Sequence, residues 1–281
     1  MLRFSVLGSS SAGNCTYVAT DKTAVLVDAG LSARETCERL ASLGATPGDL
    51  HGVLVTHEHS DHTNGLRVLQ RRYSVPLYAN SGTIEGYDAH AGERLAWQVF
   101  TTGAAFPVGD LLVEPFSVPH DTLDPVGFLL HGDGATLGVV TDMGITTTLI
   151  RARLRRCDAI VIESNHDIHL LRQSNRPWPL KQRIMGPQGH LSNDDCAALV
   201  TELAMHSGLQ LVVLAHLSCE CNEPGLARRA TETSLRRQRA ERVRVVLAAP
   251  DIATDVLLVT PRPAVTRVDV DMTIIVAPDH P

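Results

Sequence analysis

Three histidines and an aspartate crowd into six consecutive positions of this 281-residue chain, within the run Thr56-His57-Glu58-His59-Ser60-Asp61-His62. Four side chains able to ligate a metal rarely fall this close by chance. The apolar run Gly52-Val53-Leu54-Val55 just before it reads as a short buried strand. Leu66, Val68, Leu69 and Arg71-Arg72 just after it read as a helix. The cluster therefore belongs on a strand-to-helix turn, where polar groups project from an apolar scaffold into a cleft. His57 and His59 stand two apart, so in an extended stretch they share one side. Asp61 continues that side, and His62 is expected to turn away. Such a row suits two metals held side by side better than one.

Five more polar residues terminate apolar runs. Asp28 ends Ala24-Val25-Leu26-Val27, and His120 ends Phe116-Ser117-Val118-Pro119. Asp142 ends Leu137-Gly138-Val139-Val140-Thr141, Glu163 ends Ile160-Val161-Ile162, and His216 ends Leu211-Val212-Val213-Leu214-Ala215. Any one of them alone reads as a strand-terminal turn residue. As a set they fit the strand ends at one sheet edge, where α/β proteins place their sites. His57, His59, Asp61, His62, His120, Asp142 and His216 make seven donors. A tetrahedral zinc takes four ligands, and a catalytic one keeps a position for water. Seven donors suit two ions sharing a carboxylate, a standard device for hydrolysing phosphate esters with a hydroxide held between the ions as nucleophile.

Strand-like runs recur at 2–7, 16–19, 24–28, 52–56, 76–79, 111–118, 126–131, 136–141, 158–163, 211–215 and 244–249. Helical patterns fall at 32–43, 64–73, 145–155, 193–206 and 224–241. Grouped strands with interspersed helices fit a layered α/β domain, expected over 1–255. A C-terminal extension, 256–281, is expected to hold closing strands or a tail. No apolar stretch approaches a membrane span, and the first residues are too short and polar for a signal peptide. A cytoplasmic protein with no membrane partner is expected. The six cysteines, at 15, 37, 157, 196, 219 and 221, lack zinc-finger or disulfide spacing and read as mostly buried thiols in a reducing compartment. Cys219 and Cys221 flank Glu220 close after His216.

The net charge of −6 argues against a general polyanion-binding surface. Basic charge is nonetheless uneven: Lys22 and Lys181 are the only lysines, and arginine clusters at 151–156 and 228–244. Such clusters are either solvated helix faces or local phosphate tracks, and charge alone does not choose.

The run from His57 to His62 resembles the HxHxDH signature of the metallo-β-lactamase superfamily. His120, Asp142 and His216 match its later motifs in order and spacing, and Asp28 matches its early strand-end aspartate. The resemblance implies an α/β fold, the four-layer αββα sandwich. It implies two divalent ions, zinc or manganese with iron possible. His57, His59 and His120 would hold one, and Asp61, His62 and His216 the other, with Asp142 bridging.

Longer matches are similar to the YycJ/WalJ-type branch. They include Gly8-Ser9-Ser10-Ser11-Ala12-Gly13-Asn14-Cys15, Pro119-His120-Asp121, Glu163-Ser164-Asn165-His166-Asp167, Gly189-His190-Leu191-Ser192-Asn193 and His216-Leu217-Ser218. Members are described as DNA exonucleases or related phosphodiesterases, with a core like that of ribonuclease Z. His190 stands before a helix start, Ser192-Asn193-Asp194-Asp195. It resembles the ribonuclease Z histidine that protonates the leaving oxygen, with Glu163 as its partner. A pKa near 6.5 suits that task. Asp61 is expected to help orient the nucleophile as well as bind metal.

The expected activity is phosphodiester hydrolysis on a nucleic-acid substrate, DNA favoured, by an exonuclease. Arg172, Arg176, Lys181 and Arg183 are candidates for gripping the strand. The alternative is a hydrolase of small molecules (a cyclic phosphodiester, thioester or lactam), which the acidic charge and an aromatic content of 4% favour slightly. A di-iron redox enzyme of this fold usually carries glutamate where His59 stands.

Overall fold

The computed structural model describes residues 1–91 and 94–262. Its strands are β1 (Arg3–Gly8), β2 (Cys15–Ala19), β3 (Ala24–Val27), β4 (Gly52–Leu54), β5 (Leu77–Ala79), β6 (Trp97–Val99), β7 (Phe106–Val108), β8 (Leu111–Ser117), β9 (Val126–Gly132), β10 (Ala135–Val140), β11 (Ala159–Glu163), β12 (Leu211–Ala215), β13 (Arg244–Leu247) and β14 (Leu257–Leu258). Its α-helices are α1 (Ala33–Ser42), α2 (Ser60–Thr63), α3 (Leu66–Tyr73), α4 (Ser81–Ala91), α5 (Thr148–Leu154), α6 (Ile168–Gln173), α7 (Trp178–Met185), α8 (Asn193–His206) and α9 (Pro224–Arg237). Among the described residues the strands form two seven-stranded sheets, ordered β14-β1-β2-β3-β4-β5-β6 and β13-β12-β11-β10-β9-β8-β7.

Each sheet is antiparallel at one end and parallel at the other. β1, β2 and β3 pair antiparallel, and β3 through β6 run parallel. β7 through β10 pair antiparallel, and β10 through β13 run parallel. The inner parallel strands β3, β4 and β12 read as unbroken apolar runs because both of their faces are covered.

The two-residue period of a strand sorts those runs into layers. Phe4, Val6, Val25, Val27 and Leu54 pack inward with Val113, Phe128, Leu130, Val139, Val161 and Val213 of the other sheet. Leu26 and Val53 face outward onto Leu40 of α1 and Leu66 and Leu69 of α3. Ile160, Ile162, Val212 and Leu214 face outward onto Leu199, Val200 and Leu203 of α8 and Leu235 of α9. The result is the expected four-layer αββα sandwich.

Several elements carry no periodic signal in the sequence. α4 has glycine in its middle, at the place where an added Cβ would meet the Glu58 side chain at 2.6 Å. α6 and α7 are short, and β6 and β7 span three residues each. Within the stretch expected to close the fold, Leu257 and Leu258 pair with Phe4 and Arg3. Residues 263–281 of that stretch lie outside the described residues. Among the described residues, no helix is long and apolar enough to cross a membrane.

Candidate metal centre

The site residues gather where β3, β4, β10, β11 and β12 end. Asp28, Asp142 and His216, each just past its strand, have left-handed backbone with φ of 61°, 55° and 51°. Residues with a Cβ pay for that conformation, and it persists where surrounding structure demands it. The turn swings each side chain off its strand line and into the space between the sheets' ends.

The run after β4 is extended only as far as His59. His59 caps α2, and Asp61 and His62 lie on that helical turn. His62 therefore does not turn away, as the strand pattern predicts, but points inward. Its Nε2 lies 3.1 Å from Asp142 Oδ2 and 3.5 Å from Asp61 Oδ2. The tight turn requires glycine at position 30, where an added Cβ would sit 1.6 Å from the Asp61 carbonyl oxygen.

Protein acceptors orient the imidazoles. His62 donates from Nδ1 to Asp28 Oδ2 at 2.8 Å. Thr56 gives its hydroxyl to Asp28 at 2.9 Å and accepts from His57 Nδ1 at 2.9 Å. His120 donates from Nδ1 to the Gly189 carbonyl at 3.2 Å. His216 donates from Nδ1 to Glu163 Oε1 at 2.8 Å. With Nδ1 engaged, each ring turns Nε2 toward the centre. His59 enters with the other nitrogen, its Nδ1 lying 3.3 Å from His120 Nε2.

Among the described residues three groups have donor atoms within 4.8 Å of one another: His57, His59 and His120; His57, His62 and Asp142; and Asp142, Glu163, His190 and His216. Asp61 Oδ2 stands beside them, 3.6 Å from His216 Nε2. His57 Nε2, His216 Nε2 and Asp142 Oδ2 are buried without a hydrogen-bond partner. Buried polar atoms are almost always paired, so these three, in donor groups that adjoin at Asp142, call for a further partner.

The electrostatics identify the kind. Burial, then the neighbouring His62, holds His57 well below the usual imidazole range. Burial and His120 lower His59. These two rings are neutral and offer lone pairs. Against the cost of burial, Asp28, Asp142 and Asp61 hold His62 well above that range, and Asp142, Asp61 and Glu163 do the same for His216. Lone pairs and carboxylates in adjoining buried groups call for a cation. The donor set, imidazole with carboxylate, suits zinc and other first-row divalent ions.

His190 lies at the rim. It donates from Nδ1 to Glu163 Oε1 at 2.8 Å. Glu163 is buried, and its Oε2 accepts from the Met143 and Leu191 amides at 3.0 and 3.1 Å. Although burial opposes ionisation, His190 and the hydrogen bonds pull its pKa down to about 2. One carboxylate thus fixes the tautomer of both His190 and His216.

Residues 23–217 match the beta-lactamase superfamily domain. Exodeoxyribonuclease YycJ of Bacillus anthracis is 39% identical over 229 residues, which cover 81% of this chain and 86% of that one.

This chain belongs to the beta-lactamase superfamily.

A second superfamily relative, exodeoxyribonuclease WalJ of Streptococcus pneumoniae, is 37% identical over 80% of this chain and 85% of its own. The crystal structure of the metallo-beta-lactamase fold protein YhfI from Bacillus subtilis superposes with a TM-score of 0.68 at 15% identity. It covers 91% of this chain and 100% of that one.

Two site features of this superfamily chain escape a reading by residue type. Asp28 is visible as a strand-end aspartate, but its task, orienting His62, depends on how β3 and β4 pair. Asn14 carries no ligand signal, yet its amide donates to Asp61 Oδ2 at 3.3 Å and its backbone N–H to the Asp61 carbonyl at 2.8 Å. Ser9 of the same loop gives its hydroxyl to Asn14 at 2.8 Å and accepts from the His216 amide at 2.8 Å. The polar run after β1 was the available signal.

One basic expectation is corrected and one open alternative is decided. Lys181 is buried and donates to the Arg172 and Ser174 carbonyls at 2.7 and 2.6 Å, so it ties a loop and does not reach for a substrate. The arginines at 151–156 pair with Glu202 and Glu114 and do not form an open phosphate track. Cys221 is buried and Cys219 exposed, and neither joins a candidate ligand group. Glu58 accepts from the Leu123 amide at 3.0 Å and leaves the centre to its neighbours.

Proposed function

We propose that this chain is a metal-dependent phosphodiesterase that shortens DNA from a strand end, an exodeoxyribonuclease. The observation that carries this reading is that buried, unpartnered His57 Nε2, His216 Nε2 and Asp142 Oδ2 belong to adjoining donor groups joined through Asp142. The names of relatives matching four-fifths of the chain supply the substrate class.

His57, His59 and His120 would hold one divalent ion, and Asp61, His62 and His216 a second, with Asp142 facing both. Zinc or manganese fits the donors. Such ions, when bound, lower the pKa of water to about 7 and offset charge developing on phosphoryl oxygens. Asp28, Thr56, Gly189 and Glu163 hold the imidazoles in the tautomer that faces inward. Asn14 steers Asp61. His190, with Nδ1 committed to Glu163, has Nε2 left to give a proton to the departing oxygen. That oxygen needs one as the ester bond breaks, and a histidine held cationic by a buried carboxylate is suited to supply it. Burial opposes that charge, but Glu163 and Asp142 raise the His190 pKa above its ordinary value. Six free thiols, four of them buried, fit a reducing compartment and support a cytoplasmic placement.

The test is digestion of end-labelled single- and double-stranded DNA and RNA with added zinc or manganese, with Asp142→Ala as control. Stepwise shortening that disappears in the variant is expected. Release of p-nitrophenol from bis(p-nitrophenyl) phosphate with every polymer left intact would keep the chemistry and move the substrate to small phosphodiesters.

A further inference from the structure

The centre opens onto two unequal spaces. On the His59 side lies a cleft of about 750 Å³, bordered by Arg67, Tyr87 and Asp121. On the His190 side lies a cavity of about 120 Å³, lined by Ser11, Asn165, Arg176, Arg183, Ser218 and His190. Asp121 lines both spaces and is the ion-pair partner of Arg183, so this pair marks their boundary. The cavity abuts the centre directly. Asn165 donates to the His216 carbonyl at 2.9 Å, and Gly189, also in its wall, is the acceptor for His120.

The small space has a definite chemistry. It has room for several waters, and so for a phosphate group. Arg176 gives Nε to Glu220 at 2.9 Å, and among the described residues neither Nη has a hydrogen-bond partner. Arg183 gives Nε and Nη2 to Asp121, and among the described residues its Nη1 has no hydrogen-bond partner. Ser218 Oγ accepts from the Cys221 amide at 3.1 Å, so its own hydrogen is left to give. Guanidinium N–H groups beside a hydroxyl donor make a site for phosphate oxygens. Glu220 and Asp121 anchor the arginines, one carboxylate to each guanidinium, and balance their formal charge. A terminal monoester offers three unesterified oxygens to these donors and an internal diester two, so the donor set favours the monoester.

We propose that this cavity receives the terminal phosphate monoester of a nucleic-acid strand, while the continuing strand lies in the large cleft. The chain then recognises a strand end by its phosphate. This assignment rests on the phosphodiesterase reading and gives it a specificity determinant.

The test measures affinity. Internally labelled oligodeoxynucleotides with phosphorothioate linkages, bearing a 5′-phosphate, a 3′-phosphate or neither, are titrated onto the metal-loaded protein and followed by fluorescence anisotropy. A preference of about tenfold for one phosphorylated end is expected, equal to about 1.4 kcal/mol, and the preferred end gives the direction of digestion. In Arg176→Ala the ratio should fall to near one, and in Arg176→Lys part of it should remain. Ser218→Ala, which removes a hydroxyl but no ion pair, should lower the ratio as well and guards against a misfolded arginine variant. Equal binding of all three oligonucleotides by the wild type overturns the proposal and leaves the DNA reading standing. A preference that survives both Arg176→Ala and Ser218→Ala overturns it too, by placing the phosphate elsewhere. If no oligodeoxynucleotide binds at all, the DNA reading fails and takes the proposal with it.

Discussion

Asp28 Oδ2 accepts from His62 Nδ1 at 2.8 Å, and both side chains are shut away from solvent. The pair joins the end of β3 to the first turn of α2, and it decides which nitrogen of His62 faces the centre. A carboxylate behind a metal-facing imidazole fixes the ring's orientation and raises its basicity.

Asp28→Ala is therefore expected to weaken metal binding by 10–100-fold although Asp28 is not itself in a ligand group. Competition with a chelator of known affinity measures this. Unchanged metal affinity in a folded variant would remove Asp28 from the centre's support.

Asp142 and His190 should separate binding from proton transfer. Asp142→Ala is expected to lose one or both ions and all hydrolysis. His190→Ala is expected to keep both ions and to slow turnover by about 10²–10⁴-fold. Metal analysis beside single-turnover rates reads both effects, and an unaltered rate for His190→Ala on every active substrate would end its assignment as proton donor.

Lys181 should matter to stability and not to the substrate's charge. Removing its ammonium strands two carbonyls that it satisfies, at about 1–3 kcal/mol. Lys181→Ala should melt earlier, yet the slope of log K against log salt for DNA binding should match the wild type. Loss of a true phosphate contact would flatten that slope by about 0.9.

Glu114 gives a dependence on pH away from the centre. Arg156, at 2.7 Å, works against partial burial, and with His131 and Arg153 it holds the Glu114 carboxylate below its ordinary pKa. A depressed folded pKa contributes stability above the unfolded value, near 4.5, and that stability is lost as pH falls through the folded value. Glu114→Gln should therefore cost about 1 kcal/mol at neutral pH, and the gap from wild type should close below the carboxylate range. A constant gap from pH 7 to pH 3 in thermal melts would show that the ion pairs contribute nothing.

The sequence announces the parts of this fold whose chemistry is local. Strand ends such as Asp28, Asp142 and His216 stand out because a polar residue interrupts an apolar run, and Ser192 marks the start of α8 because capping is a short-range rule. The inward turn of His62 was hidden. The two-residue period holds while the chain is extended, and here it gives way to α2 after His59. α4 escaped because glycine interrupts it for the sake of Glu58 packing. Lys181 looked like a phosphate contact because sequence shows charge and not burial. Asn14 and Ser9 stand in a polar run that the sequence shows, but their tasks do not, because their partners, Asp61 and His216, lie far along the chain.

The donors come from both halves of the sandwich: β4 and α2 present His57, His59, Asp61 and His62, whereas β10 and β12 of the other sheet present Asp142 and His216. A cation at their meeting point would act as a clasp between the two halves. A chain whose sheets had packed out of register would carry every histidine and still fail to bring them to one point. Metal occupancy in this protein would then gauge assembly, recording whether the two sheets have met correctly before any substrate arrives.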